Sequence, residues 1–318
     1  MDKLKPLDFA AISTYPLASR DNKVTIHDHF ANAPEVGMSL ADFLDHLPRL
    51  LGADNLRDVV DAVVKAHQAE KPVVMAIGGH VIKCGLQPVL KKLITAGVIT
   101  AVAMNGSAAI HDFELSLIGA TSEDVGAVLH SGNFGFSEET GGGMNRALKA
   151  AMETEHGFGE AIGRYIIDNQ HPFKEYSLLA TCVENEIPVT AHVAIGTDII
   201  HQHPDFDGAV TGEMTTRDFR LLTSVVADLS GGVWLNVGSA VIMPEVFLKA
   251  LSIAQNLGYR LDGFTTANFD MNQHYRPMTN VVRRPTSGNG KGYSITGHHE
   301  INIPLFAAAV LDKLHKGA

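Results

Sequence analysis

The chain has 318 residues, 45% hydrophobic and 19% charged, which is the make-up of a folded globular protein and excludes a disordered one. A formal charge of -10 argues against general affinity for nucleic acid or an anionic membrane, both of which need clustered Lys and Arg, and suits a cationic ligand. Cys84 and Cys182 are far apart in apolar surroundings and read as packed thiols without zinc-type CxxC spacing. No stretch has the apolar run of a signal peptide or the length of a membrane span, so the cytoplasm is the expected compartment.

In chain order, residues 1–70 open with an irregular arm that carries IHDHF. Two amphipathic helices follow within 39–66, broken near Pro48 and Gly52. This part is expected to form an arm and helices packed on a main domain of residues 71–318. From residue 72 onward, consecutive apolar runs mark strands near 72–79, 100–107, 187–194, 231–238, 262–268 and 293–299. Segments of helical period lie at 82–97, 110–119, 174–186, 215–229, 243–258 and 300–316, whereas the Gly-rich stretch 130–146 reads as a loop. Strand and helix in alternation predict an α/β fold, a doubly wound parallel sheet, preceded by the helical arm.

Ligands of such a sheet bind beyond the carboxyl ends of the strands. The residues found there are Gly79-His80, Asn105-Gly106-Ser107, Gly196-Thr197-Asp198, Gly238-Ser239, Thr266-Ala267-Asn268 and His298-His299. Small residues allow close approach to the backbone, and helix starts after them offer free N–H groups to a nucleotide phosphate. No GxGxxG follows the first strand. His111 and Asp112 stand side by side at a helix start, either as a cap or as a pair in which the histidine exchanges a proton and the aspartate orients it or the ligand.

The stretch AVAMNGSAAIHDFELSLIG, from Ala101 to Gly119, resembles deoxyhypusine synthase, in which a strand ends in a small-residue turn before an acidic or His-Asp pair. IPVTAHVAIGTDII, LNVGSAVIMPEVFLKALSIAQNLG, TTANFD (ending at Asp270), GMNR at 143–146 and EINIPLFAAAVLDK are similar to further segments of that family, in the same order over roughly residues 40–318. The resemblance implies a Rossmann-like domain of the deoxyhypusine synthase type and a homotetramer with sites at subunit interfaces. It also implies bound NAD, and an amine or polyamine oxidised by hydride transfer before its aminoalkyl group passes to an acceptor. It makes Asp198 the partner of the amine, and Gly79, His80, Asn105, Gly106, Ser107, Gly238, Ser239, Thr266, Ala267, Asp270, His298 and His299 candidates for the cofactor.

The departures point to a divergent member. Alignment from the closing helix puts Arg283, Arg284 or Pro285 where the family has its catalytic lysine, and a guanidinium is a very poor nucleophile. Lys291, in SGNGKGYS, is the candidate replacement. Met243, Pro244 and Glu245 occupy the place of the family's histidine, and its aspartate before the last helix aligns near His298. Two rival classes stay open: a metal-dependent hydrolase drawing on His27, His29, His201, His203, His298 and His299, and a non-catalytic binding protein on the same scaffold.

Overall fold

The computed structural model describes residues 4–316. Six strands, β1 (Val73–Ile77), β2 (Ala101–Asn105), β3 (Val189–His192), β4 (Val233–Val237), β5 (Thr265–Asp270) and β6 (Lys291–Thr296), form one sheet in the order β3-β2-β1-β4-β5-β6. Every neighbouring pair is parallel. The chain belongs to the α/β class with a Rossmann-like sheet, as its sequence pattern predicts.

The consecutive apolar runs follow from burial on both faces. Val73, Met75 and Ile77 meet Val59, Val60 and Val63 of α2 (Leu51–Gln68) in one core, while Val74 and Ala76 belong to the other. That second core holds Trp234 stacked on Phe247, ring centroids 4.1 Å apart. Before α2 lies α1 (Leu40–His46), whose Ala41 N–H donates to Asp312 of the last helix at 3.1 Å. The buried guanidinium of Arg57 holds the carbonyls of Leu44, Leu47 and Pro48 at the break. Residues 4–36 form an extended arm whose apolar side chains, Leu4, Phe9, Tyr15 and Phe30 among them, are exposed.

After β1 the expected single helix is two, α3 (Gly79–Lys83) and α4 (Gln87–Thr95), because Gly85 takes a positive φ of 70° between them. The helix α5 (Gly106–Ile118) starts four residues earlier than the periodicity suggests, with the Asn105 side chain accepting from Ala108 N–H at 2.9 Å. The stretch 130–146 is more ordered than its glycines imply. A π-helical turn over Glu138–Gly143 runs into α6 (Met144–Ala151).

Two more helices follow before β3: α7 (Phe158–Asp168) and α8 (Leu178–Glu184). The sequence reading missed α7 because glycines punctuate it. Those glycines are sites of close packing: a Cβ on Gly159 would lie 2.5 Å from the Val189 carbonyl, and one on Gly163 2.7 Å from that of Leu179. The remaining helices longer than eight residues are α9 (Gly208–Ala227), α10 (Ile242–Asn256) and α11 (His299–Lys316). From α9 the buried Asp218 carboxylate accepts from Gly159 and Ala191, tying the start of α7 to β3.

Candidate functional site

Beyond the carboxyl ends of β2 and β3 lies a cavity of about 1050 Å³. Its inner wall comes from α3 and α5 and from the loop after β3, contributing Lys83, Ser107, His111, Glu114 and Asp198. Its outer wall comes from residues 120–140, with Thr121, Glu123, Glu139 and Thr140. Four carboxylates thus face one lysine and one histidine, a donor set that attracts cations and repels phosphate.

The register of α5 decides what each of its side chains does. Residues three apart share a helix face, and adjacent ones do not. His111 and Glu114 accordingly line the cavity together, while Asp112 turns inward and is fully buried. There it accepts from Ser177 Oγ at 2.5 Å and from the N–H groups of Leu178 and Leu179 at 2.7 and 3.1 Å, which caps α8. Burial raises its pKa to about 6 against these three donors. The structure therefore separates the adjacent pair of the sequence: only His111 is at the cavity.

His111 Nδ1 lies 2.8 Å from Thr121 Oγ1, and Thr121 Oγ1 lies 2.5 Å from Glu114 Oε2. Thr140 donates to the other oxygen of Glu114 at 3.1 Å. Burial alone would raise the Glu114 pKa, but the His111 imidazole 3.8 Å away and the Thr121 and Thr140 hydrogen bonds outweigh it and hold the carboxyl below the ordinary glutamate range.

Asp198 sits against the first residue of α5, so that a Cβ on Gly106 would lie 2.1 Å from its Oδ2. That oxygen has no hydrogen-bond partner, and burial raises the carboxyl to about 6. Ser107 Oγ fills the space over Gly79, 2.4 Å from where a Cβ would be.

The other strand-end residues gather elsewhere. Gly238, with φ of 64°, lies at the reversal of strand order between β1 and β4, and His299 Nε2 lies 2.8 Å from its would-be Cβ. His80 is beside His299, ring centroids 5.9 Å apart. Ser239 is buried and accepts from Met243 N–H. Asp270 accepts from Asn272 N–H, and His298 is 3.7 Å from Glu300. Thr266 and Ala267 lie inside β5, fully buried, with Thr266 donating to the Val281 carbonyl. Lys291 opens β6 in register with Thr265, so it lies at the amino end of the sheet, opposite the cavity. The cavity's lysine is Lys83, which the sequence reading did not single out, nor did it find Glu114, Thr121 or Thr140.

Among the described residues no three His, Cys, Asp or Glu side chains converge in a metal-holding group. His201 Nδ1 accepts from Gly196 N–H and His203 Nδ1 from Asp205 N–H, while His27 and His29 lie in a four-residue helical turn of the arm.

No protein-family model matches the chain, and no curated protein does. Solved structures similar to it include unliganded AgrE, at 16% identity over 86% of this chain and 35% of that one, with a TM-score of 0.51. The ternary complex of AgrE with ornithine and NAD+ is 15% identical over the same shares, with a TM-score of 0.50. A putative deoxyhypusine synthase from Entamoeba histolytica is 8% identical over 87% of this chain and 94% of that one, also with a TM-score of 0.50. The chain spans about a third of the length of the AgrE chains. At these identities the likeness is one of fold.

Proposed function

We propose that the chain is an enzyme that binds an amine in the acidic cavity and moves a proton there. The observation that carries this reading is the cavity wall, with four carboxylates against one lysine and the unpartnered Oδ2 of Asp198 at its inner end. An ammonium group supplies the charge and donors that Asp198 lacks. His111 is the base that takes the proton an ammonium must lose before its nitrogen or the carbon beside it reacts.

The fuller form of this reading is NAD-dependent oxidation of an amine or polyamine, with transfer of an aminoalkyl group to an acceptor. Its supports are the resemblance to deoxyhypusine synthase, the reversal of strand order between β1 and β4 where dinucleotides bind in such sheets, and the NAD+ and ornithine held by AgrE on a similar fold. Within one chain the residues at that reversal do not fit a dinucleotide. A Cβ on Gly78 would already lie 2.1 Å from the Gly238 carbonyl, His299 covers Gly238, and the open cavity nearby is lined by carboxylates. The fuller reading therefore goes with a homotetramer in which a neighbouring subunit completes the site.

Calorimetric titration with a diamine and, separately, with NAD tests both forms. Diamine binding that weakens as pH falls through about 6, where Asp198 takes up its proton, and that Asp198→Asn reduces about tenfold or more, is the expected result. Binding of NAD supports the oxidation. Failure of the diamine to bind removes the proposal.

A further inference from the structure

His111 has an orienting carboxylate, and it is not the neighbour that the sequence offers. Thr121 Oγ1 carries one hydrogen, and the 2.5 Å contact to Glu114 Oε2 uses it, because an ionised carboxylate can only accept. At its other contact, 2.8 Å from His111 Nδ1, the same hydroxyl must then accept, so the imidazole carries its proton on Nδ1 and keeps its lone pair on Nε2. The second oxygen of Glu114 accepts from Thr140. Thr121 follows the end of α5 and Thr140 lies in the π-helical turn, so the two hydroxyls come from opposite ends of the segment that builds the outer wall of the cavity.

We propose that Glu114 is the positioning residue of this site: through Thr121 it sets the tautomer of His111, and through Thr121 and Thr140 it clasps both ends of the 121–140 segment. The proposal rests on the amine reading only for what His111 does with its lone pair. The tautomer and the clasp are properties of the chain without ligand. Few other hydrogen bonds hold the segment among the described residues. Within it the Gly135 N–H donates to Glu123, and to the body Gln202 Nε2 donates to the Phe134 carbonyl. Glu114 therefore couples the orientation of the base to the closure of the wall in front of it.

The test is ¹⁵N NMR of the His111 ring in the full chain at a pH where it is neutral, compared across the wild type, Thr121→Ser, Thr121→Val and Glu114→Gln. The wild type and Thr121→Ser are expected to show the Nδ1–H form alone, since both keep the hydroxyl. Thr121→Val removes the link, and Glu114→Gln replaces one acceptor by a donor, so each yields a mixture of tautomers. Backbone amide exchange over 121–140 should quicken about tenfold or more in Glu114→Gln, the loss expected for a hydrogen bond to a charged group. An Nε2–H wild type, or one tautomer and one exchange rate in all four proteins, overturns the proposal. Diamine titration of the same proteins keeps the two claims apart, because a wild type with the expected tautomer that binds no diamine refutes the amine reading and leaves the positioning role standing.

Discussion

Asp112→Ala separates a structural aspartate from a catalytic one. The substitution strands three donors, Ser177 Oγ, Leu178 N–H and Leu179 N–H, which at ~2 kcal/mol each amounts to ~6 kcal/mol. Against this stands the burial of the carboxylate. The rise of its pKa from 3.8 to about 6 is worth ~3 kcal/mol in favour of the neutral form, a penalty the alanine protein no longer carries near neutrality. The net loss is about 3 kcal/mol, read as a drop in urea midpoint at unchanged slope. Because the folded-state pKa lies above the unfolded one, wild-type stability falls as pH rises from about 4 to 6, and the gap to Asp112→Ala is wider at pH 4.5 than at pH 7.5. Diamine affinity, measured well below the unfolding midpoint, should stay within about twofold, since Asp112 does not line the cavity. A protein as stable as the wild type that has lost amine binding would refute the assignment and return Asp112 to the site.

Three further outcomes are expected. Gly106→Ala puts a methyl 2.1 Å from Asp198 Oδ2, so Asp198 must move and diamine affinity should fall about tenfold or more by calorimetry; unchanged affinity would separate Asp198 from the amine. Lys291→Ala should leave diamine binding unchanged, whereas Lys83→Ala removes the one ammonium of the cavity wall and should tighten it a few-fold at low salt, and the reverse pattern would move the site to the other end of the sheet. Asp218 is fully buried, and burial raises its pKa to about 8; wild-type stability relative to Asp218→Asn should therefore decline from about pH 4 to pH 8, and parallel urea midpoints across that range would contradict the raised pKa.

The six strands were legible because strands covered on both faces read as unbroken apolar runs, and the pattern places each within a few residues of its position. What the sequence hid is where a side chain turns within a helix. His111 and Asp112 look like a pair in print, yet one helical residue is a rotation of about 100°, and the two end in different environments. The spacing of three between His111 and Glu114 was the available signal for the true neighbour. Lys291 drew notice through its local Gly-Lys context, which says nothing about which end of a strand it occupies. Thr121 and Thr140 carry no motif, and only the folding of the intervening segment brings both onto one carboxylate.

The inward face of α5 has a bearing on how a ligand is admitted. Asp112 bolts that helix to the start of α8 through a buried anion, so a shift of α5 toward an incoming molecule would break three charge-assisted bonds at once. The wall over 121–140 is tied to α5 by the Thr121 and Thr140 hydroxyls on Glu114 and by the Thr121 contact to His111, all of them at the cavity side of the helix. If the cavity takes an amine as proposed, adaptation to guests of different length is expected to fall to the outer wall, with α5 as the fixed template, and loop openings of this kind run on the microsecond-to-millisecond scale.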